Sequence, residues 1–292
     1  MTILQLLLPA FVASLILTGI HAYLGVHVVE RGVIFVDLSL AQIAALGTTV
    51  AYLMGYDLHS GAAYFFSLGF TFLGAAIFAF TRAHRQTRIP QEAVIGIVYA
   101  VSAAVAILVM SKATQETEHL KEMLVGNILS VTWPELGKTA VLYSLVGLFH
   151  YVFRKNFLAI SMDEAEAQRR GLNVRFWDFL FYISFGFVVT SSVAVAGVLL
   201  VFCFLIVPSV AAMLFSERLG VRLAIGWTMG ALVSAGGVLL SFLIDLPTGA
   251  TIVATFGVAL LLVAVVRWAL FRRREAPGAA VAAAPEAFPR SR

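Results

Sequence analysis

The stretch from Val193 to Phe215 reads VAVAGVLLVFCFLIVPSVAAMLF and contains no charged residue. A helix that crosses a bilayer needs about 20 mostly apolar residues, so this stretch is long enough to span one. Other segments are continuously apolar in the same way, and they lack the alternation that is typical of a barrel strand. The predicted spans are about 3–28, 32–54, 60–80, 92–111, 136–153, 175–190, 193–215, 222–243 and 248–270. The sequence therefore predicts an all-α polytopic membrane protein with about nine transmembrane helices, within a range of eight to ten.

The composition agrees with this interpretation. Of the 292 residues, 61% are hydrophobic and 12% are charged, against about 45–50% and about 25% in soluble globular chains. A soluble enzyme and a disordered protein are thereby excluded. The single cysteine, Cys203, can form no internal disulfide. The histidines are scattered without zinc-ligand spacing and no catalytic motif stands out, which predicts a protein that is not an enzyme.

The basic residues predict how the chain is oriented. With the N-terminus outside and the C-terminus inside, all but three of the 20 lysines and arginines fall in cytoplasmic segments. The three on the other side are Lys112, Lys121 and Lys138. Because cytoplasmic loops of membrane proteins carry an excess of lysine and arginine, this count predicts an odd number of spans in the inner (plasma) membrane. We assign the net charge of +4 to topology rather than to nucleic-acid binding.

The longest loop that this orientation places in the cytoplasm covers residues 154–176. Ser161 is a candidate N-cap, and Gly171 is placed to end a helix. Acids lie in the first turn and arginines in the last, as the helix dipole favours: Asp163, Glu164, Glu166, Arg169 and Arg170. The loop is thus predicted to contain a short capped helix. Such a helix either packs on the bilayer interface or docks a cytoplasmic partner.

Several motifs occur in an order known from one transporter family. They are Glu92 with Ile95–Val98, Leu124–Leu129, Asp163 with Ala167, Gly171 and Leu172, Gly197–Val201 with Pro208, Ala211 and Ala212, and Asp245 with Pro247–Gly249. In this respect the chain, from about residue 20 to 265, resembles the metal-type ABC transporter permeases, the membrane subunits that import zinc, manganese or iron.

The resemblance implies an ATP-driven importer of a divalent metal ion. It implies a homodimer with a separate cytoplasmic ABC ATPase, which holds the ATP, and an extracytoplasmic substrate-binding protein. The short helix would then couple to the ATPase through Asp163, Glu164, Glu166, Ala167 and Gly171. Residues 1–274 would form the permease domain, with its coupling loop at 154–176. Residues 275–292, rich in alanine and proline, are predicted to be a disordered cytoplasmic tail.

The second span departs from the family pattern. The family has an aspartate and a histidine four residues apart, and these positions hold Leu38 and Gln42 in this chain. The polar residues that remain are Asp37, Ser39 and Gln42, which we take as candidates for the ion pathway. Oxygen ligands without imidazole favour manganese or magnesium over zinc. Alternatively, Asp37 is solvated or pairs with the nearby Arg31.

The external segment before the fifth span contains acids and a histidine: Glu116, Glu118, His119 and Glu122. Acidic side chains at this place could draw cations toward an entrance. The segment could equally be a docking surface for an external binding protein, or a solvated turn.

Two further features of the sequence have alternative interpretations. Gly226, Gly230 and Ser234 form a small-residue row that permits close helix approach, either within the chain or between subunits. Glu92 lies close to the basic loop 82–88, so pairing with an arginine is expected. The competing functions are an ABC permease for a metal chelate or other small solute, an ion-gradient-driven secondary transporter, and a membrane scaffold.

Overall fold

The structure is a computed structural model that describes residues 3–57, 60–82, 89–111 and 128–275. These residues form α-helices, one short 3-10 turn at Ile128–Ser130, and no β-strand. The helices are α1 (Ile3–Glu30), α2 (Val36–Leu53), α3 (Gly61–Phe80), α4 (Gln91–Met110), α5 (Trp133–Val152), α6 (Arg154–Met162), α7 (Glu164–Arg169), α8 (Val174–Ala196), α9 (Val198–Met213), α10 (Leu219–Leu243) and α11 (Thr248–Glu275). The predicted all-α polytopic fold is confirmed, and the predicted tail lies beyond the described residues except for Glu275, which ends α11.

Among the described helices, seven are long and apolar enough to cross a membrane: α1, α2, α3, α4, α8, α10 and α11. Helix α5 passes the same test together with α6, which it meets at a 77° bend. Counting this pair as one span brings the total to eight. The remaining apolar helix, α9, is only 16 residues long. Each predicted apolar segment overlaps a described helix, but the described residues contain seven candidate spans, or eight with the bent pair, where the sequence predicted about nine.

The boundary between the sixth and seventh segments differs from the prediction. We expected a break at Thr190–Ser192, but α8 runs through these residues to Ala196. The hydroxyl of Ser192 donates to the Val188 carbonyl at 2.6 Å, so the helix itself satisfies this polar group. The break lies at Gly197, whose φ of 76° and ψ of 161° are accessible only to glycine without strain.

The first helix packs closely against α9. A Cβ added to Gly25 would come within 2.0 Å of the carbonyl oxygen of Leu205. Only glycine therefore permits this approach of the two backbones. Ser209 of α9 also donates to the carbonyl of Ala22, at 3.3 Å.

The small-residue row of α10 faces α1 within the same chain. A Cβ on Gly230 would lie 2.2 Å from Cγ2 of Thr18, and one on Gly226 would lie 3.4 Å from Cβ of Ala22. Ser234 is fully buried. Of the two alternatives left open by the sequence, the row is an intramolecular packing seam at these positions.

Candidate coupling and translocation sites

The predicted short helix in the loop 154–176 is present as α7. The Asp163 carboxylate accepts a hydrogen bond from the Glu166 amide at 3.0 Å and caps its N-terminus. Glu166 in turn pairs with Arg170 at 2.7 Å and with Arg169 at 3.2 Å. The four charged side chains thus stabilise the helix at its start and its end.

The C-terminus of α7 has the form expected for a glycine cap. Gly171 has a φ of 67°, which is the left-handed region that favours glycine. Its amide donates to the Gln168 carbonyl, and the Leu172 amide donates to the Ala167 carbonyl, at 2.9 and 3.0 Å. This pair of bonds is a Schellman motif, and it fixes the direction in which the chain leaves the helix.

The expectation that Ser161 caps this helix is wrong. Ser161 lies in the last turn of α6, and Asp163 is the cap instead. The Ser161 hydroxyl is buried, accepts a hydrogen bond from Nε of Arg31 at 2.8 Å, and lies 2.8 Å from Nδ1 of His27. A local capping pattern could not reveal this role, since both partners lie far away along the chain.

One side of helix α7 packs against α6. Ala167 is fully buried and packs in a small apolar cluster with Ala159 and Ile160 of α6. Leu172 and Trp177 border the same cluster. The arginine side chains of α7 remain exposed, so α7 is a short, capped helix that presents charges of both signs at the surface.

A buried ionic cluster at the start of α8 was not anticipated from the sequence. The Asp178 carboxylate is fully buried and accepts from the guanidinium of Arg31 at 2.7 Å and from that of Arg82. The Arg31 guanidinium also lies 3.9 Å from the ring centre of Phe181. Burial lowers the pKa of Arg31, and the Asp178 carboxylate opposes this effect. An acid within an apolar span was the signal that could have identified Asp178.

Three histidines are buried in the core: His21, His27 and His150. Nε2 of His150 lies 2.8 Å from the Ser184 hydroxyl, and Nδ1 of His21 lies 2.8 Å from the Leu17 carbonyl. Among the described residues, no group of three or more histidine, cysteine or acidic side chains is arranged to hold a metal ion.

The candidate pathway residues all lie on α2. Asp37 and Ser39 are buried, whereas Gln42 is half-buried. Oδ1 of Asp37 and Oγ of Ser39 have no hydrogen-bond partner. The alternative in which Asp37 pairs with Arg31 is wrong, because Arg31 pairs with Asp178. Asp37 is therefore a buried carboxylate that no arginine compensates in the part of the chain described by the structure.

Glu92 lies beside the start of α2. Its Oε1 accepts from the Phe35 amide at 2.9 Å, whereas Oε2 is buried and without a hydrogen-bond partner. Of the arginines expected to pair with Glu92, Arg82 binds Asp178 instead, and Arg85 and Arg88 lie outside the described residues. The external acidic segment, with Glu116, Glu118, His119 and Glu122, also lies outside the described residues.

The chain is similar to several proteins of metal transport systems. The "Manganese transport system membrane protein MntC" of Listeria innocua is 28% identical over 244 residues, which is 84% of each chain. A "Probable iron transport system membrane protein" of Haemophilus influenzae is 30% identical over 84% of this chain and 87% of its own. The "Chelated iron transport system membrane protein YfeC" of Yersinia pestis is 26% identical over 85% of this chain and 81% of its own.

A solved structure shares the fold. The structure of "PsaBC from Streptococcus pneumoniae in complex with Fab" aligns with a TM-score of 0.72 at 24% identity, covering 89% of this chain and 92% of that one. Residues 3–267 match the model of the ABC 3 transport family. This match confirms the resemblance drawn from the motifs, and the chain belongs to the ABC 3 transport family.

Proposed function

We propose that this chain is the permease subunit of an ATP-driven importer of a divalent metal ion, manganese, iron or zinc. The observation that carries the proposal is the family match over residues 3–267, together with relatives named for manganese and iron transport. Two copies of the permease would enclose the pathway between them. A separate ABC ATPase and an extracytoplasmic binding protein would complete the transporter.

The ion pairs support the proposed topology, with the N-terminus outside and the C-terminus inside. Arg31, Asp178 and Arg82 bring together the C-terminal ends of α1 and α3 and the N-terminal end of α8. Arg222, near the start of α10, pairs with Glu30 at the end of α1. All of these helix ends therefore lie at the same end of the bundle, where the basic loops require them.

Helix α7 is the proposed contact with the ATPase. Its two caps hold it rigid, its packing on α6 fixes its direction, and its charged side chains face outward. These properties suit a helix that receives the closure of a motor protein and converts it into rotation of membrane helices. Replacing Asp163 and Glu166 together by lysine is expected to leave ATP hydrolysis in place and to abolish ATP-driven uptake.

Asp37, Ser39 and Gln42 are the proposed contacts of the ion as it crosses. The uncompensated carboxylate of Asp37 supports this assignment, since an ionisable group within a span is costly unless it is used. We expect Asp37→Asn and Gln42→Ala to slow Mn²⁺ uptake. Thr49→Val is a matched control on the same helix, because the buried Thr49 hydroxyl bonds only the Ala45 carbonyl. Uptake equal in all three variants would remove these residues from the pathway.

The experiment for the whole proposal uses vesicles that contain the permease and its ATPase. We expect Mn²⁺ uptake that requires ATP and that a proton gradient alone does not drive. Uptake driven by a proton gradient without ATP would support a secondary transporter instead.

The second candidate is a permease for a metal chelate. The replacement of the family's aspartate and histidine by Leu38 and Gln42 favours it, because two ligands for a bare ion are missing. ATP-driven uptake of chelated iron that free Mn²⁺ does not compete with would establish this alternative.

A further inference from the structure

The ionic cluster around Asp178 is connected directly to the loop that carries α7. Ser161 lies two residues before Asp163, the cap of α7, and its hydroxyl accepts from Nε of Arg31 at 2.8 Å. The same guanidinium donates through Nη1 to Asp178 at 2.7 Å. Arg82 binds the other oxygen of Asp178. An unbroken series of polar contacts therefore runs from α6 to α1, α8 and the end of α3.

Helix α6 packs directly against α7. The two helices share the apolar cluster of Ala159, Ile160 and Ala167, and one residue separates them. On its other side α6 buries Phe157, whose ring stacks on His150 at 4.3 Å between centroids. These contacts join α7 through α6 to the core of the bundle.

The Arg31 guanidinium binds residues of two helices at once. It uses Nε for the serine of α6 and Nη1 for the aspartate of α8, so its planar fork fixes the relative position of these helices. A lysine has no such fork and cannot bind both in this geometry. Nη2 of Arg31 and Nε2 of His27 are buried without a partner. Buried polar atoms without a partner are uncommon, and a second arrangement of the helices could pair these two.

We propose that Ser161, Arg31 and Asp178 are positioning residues that transmit the displacement of α7 to α1, α3 and α8 during transport. This inference rests on the proposed function, since it assumes that the ATPase moves α7. A stabilising role alone does not require this arrangement, because apolar residues of similar volume usually stabilise a core equally well. The connection specifically joins the loop to three membrane helices.

Ser161→Ala in the full transporter is the test, with Mn²⁺ transported per ATP hydrolysed as the readout. We expect this ratio to fall at least fivefold while ATP hydrolysis continues. The matched control is Ser192→Ala, which also removes a buried serine hydroxyl that lies beside a core histidine, here His21, at 3.2 Å. We expect the ratio in Ser192→Ala to stay within twofold of the unmodified protein.

A second variant keeps the proposal falsifiable if Ser161→Ala does not assemble. Arg31→Lys retains the positive charge opposite Asp178 but loses the simultaneous contact with Ser161, so we expect the same loss of coupling. Variants that remain coupled, or a control that falls equally, would overturn the inference. If the unmodified protein shows no ATP-driven uptake at all, the proposed function fails instead, and the two failures are distinguished.

Discussion

Replacement of Asp178 by asparagine is expected to destabilise the protein more than any change to its exposed ion pairs. Asparagine keeps the volume of the side chain, so no cavity forms and the effect is electrostatic. Asp178 is fully buried, and only 3% of the Arg31 side chain is exposed, so water cannot replace the lost carboxylate there. The Arg82 side chain is 15% exposed, so the loss there is expected to be smaller. Removing one partner of a buried pair costs about 3–5 kcal/mol, and we expect Asp178→Asn within that range.

The control is Glu166→Gln on α7. Its partners Arg169 and Arg170 are 71% and 46% exposed, and exposed pairs contribute about 0–1 kcal/mol. For a chain of this size about 1 kcal/mol shifts the Tm by roughly 2–4 °C, so Asp178→Asn should lower the Tm by roughly 10 °C. Thermal unfolding of the detergent-solubilised protein measures both variants. Equal Tm shifts in the two variants would refute the argument that Asp178→Asn leaves the buried Arg31 guanidinium without a compensating charge.

Three further substitutions test the packing and the helix ends by thermal or denaturant unfolding. Gly230→Ala should cost about 1–3 kcal/mol, because its Cβ would lie 2.2 Å from Cγ2 of Thr18; Gly236→Ala, with open space at its Cβ, should be neutral or stabilising by up to about 1 kcal/mol. A Gly230→Ala variant as stable as Gly236→Ala would contradict the seam between α1 and α10. Gly171→Ala should lose about 1 kcal/mol, since its φ of 67° is strained for alanine; an unchanged Tm would argue against the glycine cap. Thr132→Ala should lose about 0.5–2 kcal/mol by removing the capping box of α5, and no loss would show that this cap is dispensable.

The fold could be predicted from the sequence because the bilayer imposes a single simple condition. Each span must be a continuous apolar helix, and composition reveals this without knowledge of any contact. The caps of α7 could also be predicted in part, because capping depends on residues only a few positions apart. Asp163 and Gly171 both act within the helix they border.

The sequence could not place features that depend on distant contacts. The hydroxyls at 190–192 suggested a break, yet Ser191 and Ser192 donate to the Val188 carbonyl of α8 itself, and the Thr190 hydroxyl lies 3.2 Å from that of Thr71 on α3. Helix α8 ends instead at Gly197, where no polar residue indicates a break. The same limit explains Ser161, whose partners lie on α1, 130 and 134 residues away along the chain.

The two buried aspartates, Asp37 and Asp178, show why burial alone does not identify a transport residue. Both are acids in apolar spans, and only the resemblance of the second span to the family pattern singled out Asp37 in the sequence. In the structure two arginines compensate Asp178, so its charge is already satisfied and an arriving cation would be repelled by the guanidinium groups beside it. Oδ1 of Asp37 has no partner, and Asp37 lies in the first turn of α2, where the helix dipole favours a negative charge. A divalent cation would therefore gain more from Asp37 than from Asp178. If Asp178→Asn abolished Mn²⁺ binding to the transporter while Asp37→Asn left it unchanged, this assignment of the two carboxylates would be reversed.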